Sequence, residues 1–324
     1  MSLLGDVRKY IDYVFDARSF TPRFEPEAVS EGALYAARAI RGDARPPAII
    51  VHGIMPRSGT VYVGELLRRH PDLTAYPNRI WEAPFLQFSD QVVALQEKFL
   101  WAHRHNAGKL NDKDFLPIFG AAFIAYLHSF MPPGQRMLLK VPGVHYLSDF
   151  YTMFPYEHLL VLTRDGRDVV HSTVKTWPQI LFSFACRRYR RSAEMVLACH
   201  ERFEGPSPAS LGGDNSSPAS SGRGGNSSTG SLGRCDSGRC GMGYWLARFE
   251  DAVRDPESFV RQACARFGLD ESRYPFDQLD NLPVRGSSTI HDNGDVDWHP
   301  VERPEDFNPV GRWRNWSAWH KWRF

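Results

Sequence analysis

Ala48-Ile49-Ile50-Val51-His52, followed by Gly53-Ile54-Met55-Pro56-Arg57-Ser58-Gly59-Thr60, is the stretch on which the fold turns. Its opening run is apolar and rich in β-branched residues, with Pro46-Pro47 before it and Gly53 after it. An unbroken apolar run this short predicts a strand buried on both faces, as in a parallel sheet. From Val61 to His70 a helical pattern takes over, and Pro71 stops it. Strand, loop and helix make the first half of a βαβ unit.

The same reading extends along the chain. Arg136 to Lys140, Leu159 to Thr163 and Tyr244 to Phe249 read as further buried strands. Helical stretches are predicted at about 86–104, 113–130, 168–176 and 185–203. Strands separated by helices pair in parallel and carry helices on both faces. The expected fold class is therefore α/β, one domain over 48–324 with a central parallel sheet, preceded by an N-terminal helical extension over 1–47.

Composition bounds the function. The chain has 324 residues, 42% hydrophobic and 13% aromatic, which supplies a sizeable core and excludes wholesale disorder. Lys plus Arg number 39 against 37 Asp plus Glu. So even a balance leaves no global field for a polyanion: a bound anion must be met by local cations, and no nucleic-acid partner is expected. No apolar run reaches the roughly 18 residues of a membrane span. The opening Met1-Ser2-Leu3-Leu4-Gly5-Asp6 meets charge too early for a secretory signal. Five scattered cysteines (186, 199, 235, 240, 264) argue for reduced thiols, and a cytoplasmic protein is expected.

Residues 205–243 differ from the rest, with 11 Gly, 10 Ser and 3 Pro in 39 positions and no aromatic. Such a stretch buries too little apolar surface to offset its ordering entropy and predicts a flexible insert. Cys235 and Cys240 lie in it without a second ligand pair, so no metal is expected there.

Two loops carry the chemistry. In Arg57-Ser58-Gly59-Thr60 the turn into a helix leaves backbone N–H groups aimed at its N-terminus. Gly59 allows close approach, Ser58 and Thr60 add hydroxyls, and Arg57 adds a fixed charge. It is not a Walker A loop, since the position before the hydroxyl residue is Gly59, where that loop needs Lys. The second loop is Thr163-Arg164-Asp165-Gly166-Arg167-Asp168-Val169-Val170-His171-Ser172. Arg164 stands at a strand's carboxyl end, where open parallel sheets bind ligands. Asp168 is placed to cap the next helix, and Ser172 lies one turn further along. Two separate anion grips suggest one ligand with two phosphate-like groups some distance apart.

Together these loops resemble the nucleotide-binding motifs of sulfotransferases, enzymes that use 3′-phosphoadenosine 5′-phosphosulfate (PAPS). Leu139-Lys140-Val141-Pro142, Arg248-Phe249-Glu250-Asp251, Val284-Arg285-Gly286-Ser287 and Gly311-Arg312-Trp313-Arg314 agree, so the resemblance spans about residues 48–316. It implies a nucleotide-kinase-like, P-loop-related fold, PAPS as co-substrate and its desulfated product PAP, and no metal. The loop at 57–60 would hold the 5′-phosphosulfate; Arg164 and Ser172 would hold the 3′-phosphate. Arg57 stands where the cytosolic branch has Lys, as in bacterial and tyrosylprotein branches, and would stabilise charge as a cation. Arg285 or Arg312 would supply a missing contact to the 3′-phosphate.

An alcohol or phenol acceptor also needs a base. The family's usual His would stand at 142, which is Pro here. Glu82, 25 residues beyond Arg57, is the replacement, with a plain surface carboxylate as its rival; His145 is the alternative. Lys140, at a strand end, would touch the transferred group or pair with a carboxylate. A small organic acceptor with a hydroxyl or amine is expected, and a homodimer is compatible with the reading. A nucleotide or small-molecule kinase and a catalytically inactive nucleotide-binding homologue are the rivals. Trp313, Trp316, Trp319 and Trp322, interleaved with cations, form a drifting stripe whose first two members are expected to pack on the domain.

Overall fold

The computed structural model describes residues 18–24, 29–204, 243–282, 302 and 308–324. Arg285, Cys235, Cys240 and the 205–243 insert up to residue 242 lie outside the described residues. One all-parallel sheet runs in the order β2-β3-β1-β4-β5. Its strands are β1 (Ile49–Gly53), β2 (Leu73–Ala75), β3 (Arg136–Val141), β4 (His158–Thr163) and β5 (Tyr244–Arg248).

Side chains alternate across the sheet with the period of two that a strand imposes. Ile49, Val51, Leu138, Leu160 and Leu162 enter one apolar cluster; Ile50, Leu139, Val141, Leu159 and Val161 enter the other. Both sets are buried, which is why these strands read as unbroken apolar runs.

The first cluster is covered by helices Thr60–Leu67 and Pro256–Phe267, through Val63, Leu66, Phe259 and Phe267. The second lies under helices Phe115–His128, Gly166–Thr176 and Phe182–Glu204, through Leu116, Val169, Val170 and Met195. The helices following the adjacent strands β1 and β4 thus go to opposite faces. A crevice opens between the carboxyl ends of such a strand pair, the usual ligand position in open α/β sheets.

Two elements depart from the sequence reading. β2 was not anticipated, because three residues with only Leu73 buried carry no apolar run. β5 stops at Arg248, and Phe249 already opens a helix, Phe249–Arg254. Within 1–47 the described helix is Glu31–Arg41, capped by Ser30, whose Oγ accepts from the Ala33 N–H and donates to Asp114.

His52 is the one ionisable side chain within β1, and it is buried. Its Nδ1 lies 2.8 Å from the Gly143 carbonyl and therefore carries the proton; its Nε2 has no partner among the described residues. Burial pushes its pKa from 6.5 down to about 4. A depressed histidine keeps its stabilising share above the unfolded value and loses it as pH falls, since only the unfolded chain then binds the proton. Between pH 6.5 and 4 the loss from His52 comes to about 3 kcal/mol. Urea unfolding across this window should show a shallower pH dependence for His52→Asn than for the wild type; coincident slopes would contradict this.

Candidate functional site

The first loop is closed by its own serine. Ser58 Oγ accepts from the Met55 N–H (3.1 Å) and donates to the Met55 carbonyl, which also accepts from the Ser58 N–H (3.1 Å). The hydroxyl is thus engaged inside the loop. Gly59 caps helix Thr60–Leu67 with φ +93, and a Cβ there would run into the Phe249 ring. Left-handed backbone and the neighbouring ring both require glycine here, a reason distinct from close approach to an anion. Thr60, the first helical residue, is buried.

Arg57 has φ +76, and it is not alone. Tyr76, Asn78, Arg79 and Tyr146 are the other described non-glycine residues with positive φ. All five follow the carboxyl ends of β1, β2 or β3, so in a parallel sheet they share one rim. Left-handed backbone at non-glycine residues costs about 1 kcal/mol or more each, and such strain gathers at functional sites.

The two loops meet. Arg57 Nε donates to Ser172 Oγ at 3.2 Å, and Arg164 Nη1 donates to the Arg57 carbonyl at 2.8 Å. Two separate grips were expected, but neighbouring parallel strands lie about 4.8 Å apart and an arginine side chain easily crosses that gap. Arg164 also donates to the Pro309 carbonyl and lies over the Phe249 ring, 4.6 Å from its centroid. Tyr189 hydroxyl donates to the Arg164 carbonyl. Arg164 therefore acts as a strut between the first loop and the chain near its end.

Arg312 completes the group. Burial and the like charges of Arg164 and Arg312 push Arg57 down to about 10. Burial does the same to Arg164, with Arg312 opposing and Asp168 favouring its charge. Three clustered guanidiniums at a crevice, beside a helix N-terminus, make a receptor for a multiply charged anion.

Asp168 does not cap its own helix. Asp165 does, accepting from the Arg167 N–H at 2.9 Å while pairing with the Arg167 guanidinium. The Asp-Gly step before the helix was the signal for that cap. Asp168 is instead fully buried and accepts from the N–H groups of Gly311 (2.7 Å) and Trp313 (3.3 Å). Arg167 stacks on Trp313, and Trp316 Nε1 donates to His171 Nδ1 at 2.8 Å. Trp319 and Trp322 are exposed.

A second group lies at the end of β3, beside β1. Lys140, opposite Val51 in register, sits 4.0 Å from the Trp81 ring centroid and 3.7 Å from Glu82 Oε1. Tyr76 stacks on the other side of that group, 4.4 Å from Trp81. Lys140 is buried and Glu82 is exposed, so the carboxylate presents at the rim. His145 is buried against Phe20, with ring centroids 4.6 Å apart. Sequence reasoning missed Phe249, Tyr189 and Glu250, which accepts from the Asp165 N–H. Phe249, the first residue after β5, carried the only usable signal, an aromatic at the ligand edge of a strand.

Among the described residues, no three His, Cys, Asp or Glu side chains are placed to hold a metal, and no helix is long and apolar enough to cross a membrane. No family model and no curated protein matches the chain. Among solved structures it is similar to the sulfotransferase domain of a Synechococcus olefin synthase, with 19% identity over 74% of this chain and 79% of that one (TM-score 0.43). Mouse sulfotransferase SULT7A1, solved with PAP, shares 13% identity over 92% and 88% (TM-score 0.37). Retinol dehydratase, solved with retinol and PAP, shares 14% over 91% and 84% (TM-score 0.41). At these identities and scores the likeness carries no argument about activity.

Because Arg164 and Arg312 oppose the charge of Arg57, removing that charge should not harm the fold. Arg57→Met should unfold at an equal or higher urea midpoint, by about 1 kcal/mol. Inorganic pyrophosphate should raise the melting temperature of the wild type and not that of this variant. A loss of stability beyond about 2 kcal/mol would show that Arg57 serves the fold instead.

Proposed function

We propose that the chain is a sulfotransferase that moves the sulfuryl group of PAPS to a hydroxyl or amine of a small organic acceptor. The observation that carries the reading is the cluster of Arg57, Arg164, Arg312 and Ser172 between β1 and β4. Its donors are all hydrogen-bond donors to anions, and its charge exceeds what one monoanion would offset. That fits a nucleotide bearing phosphates at two positions.

In this reading Arg57, at the crevice floor with Ser172, faces the charge that develops on the leaving phosphate. It stays protonated at neutral pH even at a pKa of about 10, so it acts as a cation and hydrogen-bond donor. The N-terminal turn offers the backbone N–H groups of Gly59 and Thr60 to the same oxygens, while the Ser58 N–H and hydroxyl stay on Met55 and hold the loop's shape. Arg164 and Arg312 hold the second phosphate, Arg164 by turning from the carbonyls it now engages. Arg285, outside the described residues, is the alternative to Arg312 for that contact.

Glu82 is the base. Its exposed carboxylate at the rim accepts the acceptor's proton, and Lys140, held between Glu82 and the Trp81 face, supplies positive charge beside the transferred group. His145, enclosed against Phe20, is the poorer candidate. Alignment in line with the leaving oxygen, together with charge stabilisation, does most of the work in such displacements.

The test is transfer of labelled sulfate from PAPS to a panel of phenols, alcohols and amines without metal. Glu82→Gln should lower kcat by about 10²–10⁴-fold and remove the acid limb of the pH profile. Arg57→Ala should lower it by about 10²–10³-fold. Phosphate transfer from ATP with Mg²⁺ would make the chain a kinase. Nucleotide binding with no transfer to any acceptor would make it an inactive homologue.

A further inference from the structure

The segment that carries Arg312 is attached to the domain by an unusual device. Gly311 has φ +79 and begins a short turn, Arg312–Asn315, whose first N–H groups have no acceptor of their own. Asp168 supplies one: its two oxygens take the N–H groups of Gly311 and Trp313, one on each side of Arg312. The carboxylate belongs to the first turn of helix Gly166–Thr176 and is fully buried. Arg167 holds the Trp313 ring from the same turn, 3.6 Å from its centroid. One turn further on, His171 takes the Trp316 indole N–H.

A buried carboxylate that accepts from two backbone N–H groups loses both bonds if it is removed, and both donors are then left unpaired. The same carboxylate lies close enough to Arg164 and Arg312 to favour their charged forms. It is therefore the negative counterpart of the arginine cluster, and its own bonds to backbone fix where that charge sits.

We propose that Asp168 is a positioning residue for the anion site: its carboxylate docks residues 311–313 and thereby sets Arg312 beside Arg57 and Arg164. A nucleotide meets three guanidiniums only while this dock is closed. Its affinity arm rests on the nucleotide reading above; its docking arm does not.

Two readouts on the full chain test it. The first is trypsin cleavage after Arg312 and Arg314 without ligand, followed by mass spectrometry. Asp168→Ala should be cut at least tenfold faster than the wild type, and Asp168→Asn, which keeps one acceptor oxygen, should fall between them. The second is calorimetric titration with PAP. Asp168→Ala and Arg312→Ala should each weaken binding by about 10–100-fold, and the double variant should be no weaker than the worse single one, because the first change already withdraws Arg312. Circular dichroism establishes that each variant is folded; if Asp168→Ala is not, Asp168→Asn carries both arms. Equal cleavage rates, or losses that multiply in the double variant, would overturn the proposal. If the wild type fails to bind PAP, the nucleotide reading falls and the cleavage arm alone decides the docking role.

Discussion

Three guanidinium groups gather inside a protein only if something outweighs their repulsion. Two like charges about 6 Å apart, at an effective dielectric of about 20, cost about 3 kcal/mol. Around Arg57, Arg164 and Arg312 the structure spreads that cost over the buried Asp168 carboxylate, several carbonyls and a ring. The Arg57 and Pro309 carbonyls accept from Arg164, Asn308 accepts from Arg312, and the Phe249 face lies beneath Arg164. Dipoles offset such charge without cancelling it, so the crevice keeps a positive field for a mobile anion.

The rest of the architecture serves this placement. Helices leaving β1 and β4 toward opposite faces open the crevice, and the two strands bring Arg57 and Arg164 from residues 107 apart in sequence into one group. Strained backbone at Arg57, Tyr76, Asn78, Arg79 and Tyr146 lies along the same rim. Buried, apolar strands beneath supply a floor rigid enough to hold that strain. Lys140, near the end of β3, and Glu82, from the segment that follows β2, pair on the strand next to β1.

Most of the sheet was legible in the sequence, because a strand buried on both faces writes itself as a continuous apolar run. The cores of four strands, residues 49–51, 137–139, 159–162 and 244–247, do so. β2 does not, since its Leu73-Thr74-Ala75 has a single buried residue and depends on pairing with β3. At the site, Arg57, Arg164 and Ser172 were recognisable from their places after strands. Their mutual contact was not, because register between β1 and β4 is a long-range property. The cap on helix Gly166–Thr176 was misassigned for a similar reason: Asp165 and Asp168 are both sound local choices, and only the distant Gly311 and Trp313 separate their roles. Phe249, which fixes Gly59 and supports Arg164, carried only the local signal of an aromatic just after a strand, because its partner Gly59 lies 190 positions away.

The central claim is that the crevice between β1 and β4 receives a doubly phosphorylated nucleotide without help from a metal. Competitive calorimetry on the wild-type chain, with PAP in metal-free buffer against ATP with Mg²⁺, tests it most directly. The account predicts one-to-one binding of PAP at least tenfold tighter than ATP with Mg²⁺, weakening steeply as salt is raised. Tighter binding of ATP with Mg²⁺, or PAP binding that ignores salt, would contradict it.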